Sequence, residues 1–109
     1  MRVFKCSACS KIHVEAGNVL IHFPSPERLR KFLDYLESID ADHYAALNRS
    51  RGLEKDIYLP AGDRLSVNMA FSVAEFEELK RAVRNYLAGY EPDKLSFAGL
   101  LALSKAGLN

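Results

Sequence analysis

At Ser72 the hydrophobic period of this chain changes, and that change limits the folds open to it. Before Ser72, Leu65, Val67, Met69 and Phe71 alternate with polar or small residues, the two-residue period of a strand with one buried face. After it, Phe76, Leu79, Val83, Tyr86 and Leu87 recur at helical spacing. Ser72 with Glu75 has the spacing of a reciprocal capping box, so the boundary carries its own start signal. An earlier segment repeats the order. Val19 to Phe23 reads as a strand ended by Pro24; Ser25 then caps, Pro26 suits the first helical position, and Leu29, Phe32, Leu33, Leu36 and Ile39 line a helix. Strands feeding helices in this way predict an α+β fold, and 109 residues suit a single domain, 1–109, with one core.

The remaining elements follow from turn chemistry. Arg2 to Cys6 and Lys11 to Glu15 read as strands joined through Ser7-Ala8-Cys9-Ser10, and Gly17-Asn18 suits the tight turn into Val19 to Phe23. Asp42 to Asn48 has room for one or two helical turns, and Arg49 to Lys55 reads as a polar connection around Gly52. Asp56 to Leu59 and Leu65 to Phe71 form a second hairpin. After Pro92, Leu95 to Lys105 reads as a short C-terminal helix.

Ile12-His13-Val14-Glu15-Ala16-Gly17-Asn18 and Ile57-Tyr58-Leu59-Pro60-Ala61-Gly62-Asp63 match in pattern, and each precedes a strand and a serine-capped helix. This suggests a ββα duplication in which two hairpins share one mainly antiparallel sheet covered by the two amphipathic helices. A three-residue loop Ala61-Gly62-Asp63 would set Leu59 opposite Leu65 and Ile57 opposite Val67. In the first hairpin two registers fit. A two-residue Gly17-Asn18 turn pairs Ile12 with Phe23, Val14 with Ile21 and His13 with His22; a three-residue loop separates the histidines.

Charge removes several function classes. Fifteen basic and fourteen acidic residues leave a net charge of +1, with no global field for a polyanion or an anionic membrane. Arg28, Arg30 and Lys31, with Arg49 and Arg51 later, could make a small basic surface, but Glu27, Asp34 and Glu37 interrupt the first group, which makes a mixed solvated face and a poor nucleic-acid surface. No glycine-rich phosphate loop is present around Gly52, and Ser25, Ser72 and Ser96 are accounted for as helix caps, so no serine calls for a nucleophile's role beside His43. Glu75, Glu77 and Glu78 crowd a helix start, where the dipole favours them. The N-terminus lacks the apolar run of an export leader, and Phe97 to Leu103 is far shorter than the roughly 20 residues of a membrane span, so a cytoplasmic location is expected.

Reactive chemistry concentrates near the N-terminus. Cys6 and Cys9, in a C-x-x-C loop, precede His13 and His22; two thiolates and two imidazoles are the ligand set of a closed tetrahedral zinc site. The competing reading makes the pair a thiol-disulfide oxidoreductase, but redox C-x-x-C loops sit before a helix whose N-terminus stabilises a thiolate, whereas a strand follows Cys9 here. The bland reading is two structural thiols beside two ordinary strand histidines. Cys6-Ser7-Ala8-Cys9 followed by Ile12-His13-Val14-Glu15-Ala16-Gly17-Asn18 resembles an uncharacterised family of small bacterial proteins with C-x-x-C and then I-H-x-x-x-G-N. That resemblance implies a bacterial cytosolic origin and no particular activity.

The expectation is therefore a non-enzymatic module that binds an unknown protein partner or itself, with zinc as its candidate cofactor. Leu95, Phe97, Ala98, Leu100, Leu101 and Leu103 occupy too much of one short helix for a single core to cover, which suggests a homodimer formed through Leu95 to Leu108.

Overall fold

The computed structural model describes residues 1–60 and 67–89. They form an α+β domain of two antiparallel sheets and three helices. The first sheet is a meander of β1 (Arg2–Lys5), β2 (Ile12–Ala16) and β3 (Val19–Phe23), with β2 in the centre. Two helices follow, α1 (Pro26–Glu37) and α2 (Ala41–Ser50). The second sheet is the pair β4 (Ile57–Pro60) and β5 (Asn68–Phe71), and α3 (Val73–Ala88) comes after it.

The Gly17-Asn18 turn has two residues, with Gly17 at φ 66°, and it sets Ile12 opposite Phe23, His13 opposite His22 and Val14 opposite Ile21. On the other edge of β2, Val3 pairs with Val14 and Phe4 with His13. Ile12, Val14 and Ala16 all enter the core, so one face of the meander is apolar along its whole central strand.

The helix starts follow their caps. The Ser25 hydroxyl accepts from the Arg28 N–H at 3.3 Å, and α1 buries Leu29, Leu33 and Leu36. Asp40 caps α2 through the His43 N–H at 3.1 Å, and Gly52, at φ 78°, lies just past its end. The one or two turns expected at Asp42 to Asn48 are thus a helix of 10 residues, lengthened by a cap two residues upstream of the periodic segment. In α3 the capping box is complete. Ser72 Oγ accepts from the Glu75 N–H at 3.1 Å, and Glu75 Oε1 accepts from the Ser72 N–H at 2.8 Å and from Lys55 Nζ at 3.0 Å.

Two expectations about the second hairpin are corrected. It does not extend the first sheet: between β3 and β4 the chain passes through both α1 and α2, and among the described residues β4 and β5 pair only with each other. The hairpin-then-helix order does recur, but the two units meet through helices. Helix α3 contacts α1, α2, β1 and β5, and its Phe76, Leu79, Val83 and Leu87 are buried with residues of both sheets. The register also differs, because Ile57 pairs with Phe71 and Leu59 with Met69 in place of Val67 and Leu65. The shift is four residues, an even number, so the apolar faces still coincide and Ile57, Leu59, Met69 and Phe71 are all buried. Val67 falls before β5 and is exposed. The expected C-terminal helix and the dimer surface from Leu95 to Leu108 lie outside the described residues.

Two expected outcomes follow from α3. Phe76 has no exposed surface, so Phe76→Ala should cost about 3–5 kcal/mol, read as a lower urea midpoint at unchanged slope. Glu75 is held below the usual carboxylate range, first by the Ser72 N–H and then by Lys55. Its stabilisation is therefore present above the unfolded carboxyl pKa and is lost as pH falls through the lower folded value. Urea titrations should find Glu75→Gln less stable than the parent at neutral pH, with the gap closing on acidification; a gap constant with pH would contradict this assignment.

Candidate metal centre

Strand β1 ends at Lys5 and β2 begins at Ile12, so Cys6 to Lys11 must reverse the chain within a few residues. The Cys6 N–H donates to the Lys11 carbonyl at 2.9 Å, and the Ser10 N–H donates to the Cys6 carbonyl at 3.0 Å. Ser10, directly after Cys9, takes φ 59°, the left-handed conformation that lets the chain turn back into β2. The turn brings donors to the first sulfur. The Cys9 side chain, and then the backbone N–H groups of Cys9 and Ala8, hydrogen-bond Cys6 and hold its thiol below the ordinary range.

Opposite this loop stands His13, on the face of β2 turned away from Ile12 and Val14. Only 8% of it is exposed, packed against the Phe4 ring at 5.2 Å on one neighbouring strand and the His22 ring at 4.4 Å on the other. Its Nε2 lies 3.3 Å from Cys9 Sγ. The donor atoms of Cys6, Cys9 and His13 all fall within 4.8 Å of one another, close enough to hold one metal ion. A tetrahedral zinc with bonds of about 2.0–2.3 Å needs donors roughly 3.3–3.8 Å apart, so the Cys9 to His13 edge is already of that size.

Three of the four residues singled out by sequence therefore meet. His22, exposed and directly across from His13, stands against the histidine ring but outside the three-donor cluster. Phe4 escaped sequence reasoning as a wall of the site, although a register for β1 on β2 would have placed it opposite His13. The donor set is soft. Two sulfurs and an imidazole, without a carboxylate in the cluster, suit zinc or another thiophilic ion and fit poorly with calcium or magnesium. Cys9 leads into β2, so the C-x-x-C loop is not followed by the helix whose N-terminus activates a dithiol oxidoreductase.

Residues 2–96 match the family of unknown function DUF6686. The chain belongs to that family. The match takes in the C-x-x-C loop, His13, His22 and every strand and helix of this chain from β1 to α3. Comparison with curated proteins and with solved structures finds no match.

In metal-free protein, alkylation of Cys6 followed by mass spectrometry across a pH series should show a midpoint below that of the unfolded chain. Cys9→Ala removes the leading hydrogen bond and should move the midpoint upward. Identical midpoints in folded and unfolded protein would show that the loop does not favour the Cys6 thiolate.

Proposed function

We propose that this protein is a non-enzymatic binding module of a reducing, cytosolic compartment, and that zinc ties its N-terminal loop to its central strand. Cys6, Cys9 and His13 supply three ligands. His22 supplies the fourth, since directly opposed residues of antiparallel strands have Cβ atoms about 4.5–5.5 Å apart and an imidazole rotation can bring a nitrogen to the same ion. The observation that carries this reading is the three-way approach of the donor atoms. A site with four protein ligands has no open position for substrate, which favours a structural role over a catalytic one. The partner would then be met elsewhere on the surface.

A thiol-disulfide exchange role draws support from the lowered Cys6 thiol. One set of measurements separates the two. Protein purified without chelator should contain about one zinc per chain, and acid should release it as the ligands take up protons. Cys6→Ser, Cys9→Ser and His13→Ala should each lose stoichiometric zinc, while His22→Ala should bind it more weakly. Chelation should lower the thermal midpoint of the parent and leave that of Cys9→Ser unchanged. Metal-free protein with both thiols freely titratable would end the zinc reading, and catalytic reduction of a disulfide by the parent but not by Cys6→Ser would establish the exchange role.

A further inference from the structure

Helix α2 is poorly employed as a core element. Its buried residues are Ala45 and Asn48, and the stripe Tyr44, Asn48, Arg51, at positions i, i+4 and i+7, borders a cavity where α1 and β4 come together. An apolar stripe there would fill the space and strengthen the core. The chain instead leaves about 340 Å³, within the range of small-molecule sites.

The lining has a definite chemistry. Tyr35 of α1, Tyr44 of α2 and Tyr58 of β4 bring three phenol rings to one cavity, and Tyr35 and Tyr44 stay 46% and 45% exposed. Flat, accessible rings of this kind offer stacking faces to a flat ligand. The Tyr58 oxygen accepts from the Lys55 N–H at 3.1 Å, which leaves the phenolic proton to donate. The Tyr35 and Tyr44 hydroxyls have no partner among the described residues. Asn48 spends its amide nitrogen on the Asp56 carbonyl at 2.6 Å, which fixes the wall of the cavity to β4.

Charge selects further. Arg49 pairs with Asp56 at 3.1 Å, but among the described residues Arg51 has no carboxylate partner and no Asp or Glu lines the cavity. A guanidinium and phenolic donors, with aromatic walls and no carboxylate, are complementary to a planar ring bearing an anionic group. We propose that this cavity is a binding site for a small aromatic anion, with Tyr35 and Tyr44 facing its ring and Arg51 its charge. The site is independent of the metal centre.

The test uses the full chain with 1-anilinonaphthalene-8-sulfonate as probe and N-phenyl-1-naphthylamine as its uncharged counterpart. Fluorescence and calorimetric titration should give saturable one-to-one binding of the sulfonate. The uncharged compound should bind at least about tenfold more weakly, the scale of one hydrogen bond to a charged group. Arg51→Gln should abolish that preference, Tyr44→Ala should weaken both probes, and Arg81→Gln, which removes an exposed guanidinium of α3 outside the cavity, should change neither. Cooperative thermal melting of every variant, with amide shifts from the bound sulfonate clustered in α2 and β4, keeps the readout specific to a folded site. Absence of saturable binding, equal affinity for the two probes, or an unchanged preference in Arg51→Gln would each overturn the proposal.

Discussion

The central position of β2 is the constraint on which most of this structure depends. Flanked by β1 and β3, it has pairing partners along both edges and is free to bury both faces. On one face Ile12, Val14 and Ala16 meet the helices. On the other His13 is pressed between Phe4 and His22 and turned toward the cysteine loop. The two-residue turn at Gly17 fixes which residues take which face. A slip of one residue would exchange the core set for the site set, so fold and candidate chemistry are specified by the same register.

Two small sheets become one core because α3 touches both. A two-stranded sheet is marginal by itself, and β4 with β5 gains its apolar cover from Phe76, Leu79 and their neighbours. Asp56 organises the polar side of that joint. Its carboxylate pairs with Arg49 of α2 and accepts from the Val73 N–H at the start of α3, while its carbonyl accepts from Asn48. One residue thus ties the end of α2, the beginning of β4 and the first turn of α3, where a negative charge also meets the positive end of the helix dipole.

What could be read from sequence was local. The stripes Leu29, Leu33, Leu36 and Phe76, Leu79, Val83 gave their helices away by period, and Ser25 and Ser72 marked the starts. Cys6, Cys9 and His13 lie close together along the chain, so their meeting needed only one tight turn. Sequence does not decide the register of the first hairpin, because Val19 to Phe23 offers apolar residues to either face, Leu20 in one register and Ile21 with Phe23 in the other. Whether the second hairpin joins the first sheet depends on how α1 and α2 carry the chain between them, and no periodicity records that. The cavity is invisible in the sequence for a related reason: Tyr35, Tyr44, Arg51 and Tyr58 lie far apart along the chain, and only tertiary packing sets them around one space.

The meander also has a temporal meaning. Its contacts join β1 to β2 and β2 to β3 across short turns, so the entropy of closing them is small and they can form early, before the distant pairing of α3 with β1. A chain made from its N-terminus exposes Cys6, Cys9, His13 and His22 long before Phe76 exists. If zinc binds as proposed, its capture at that stage would hold β2 between its neighbours while the apolar face of Ile12 and Val14 still waited for its helices. It would thereby shorten the search for the native register during synthesis, a contribution to folding rate separate from any contribution to the finished molecule.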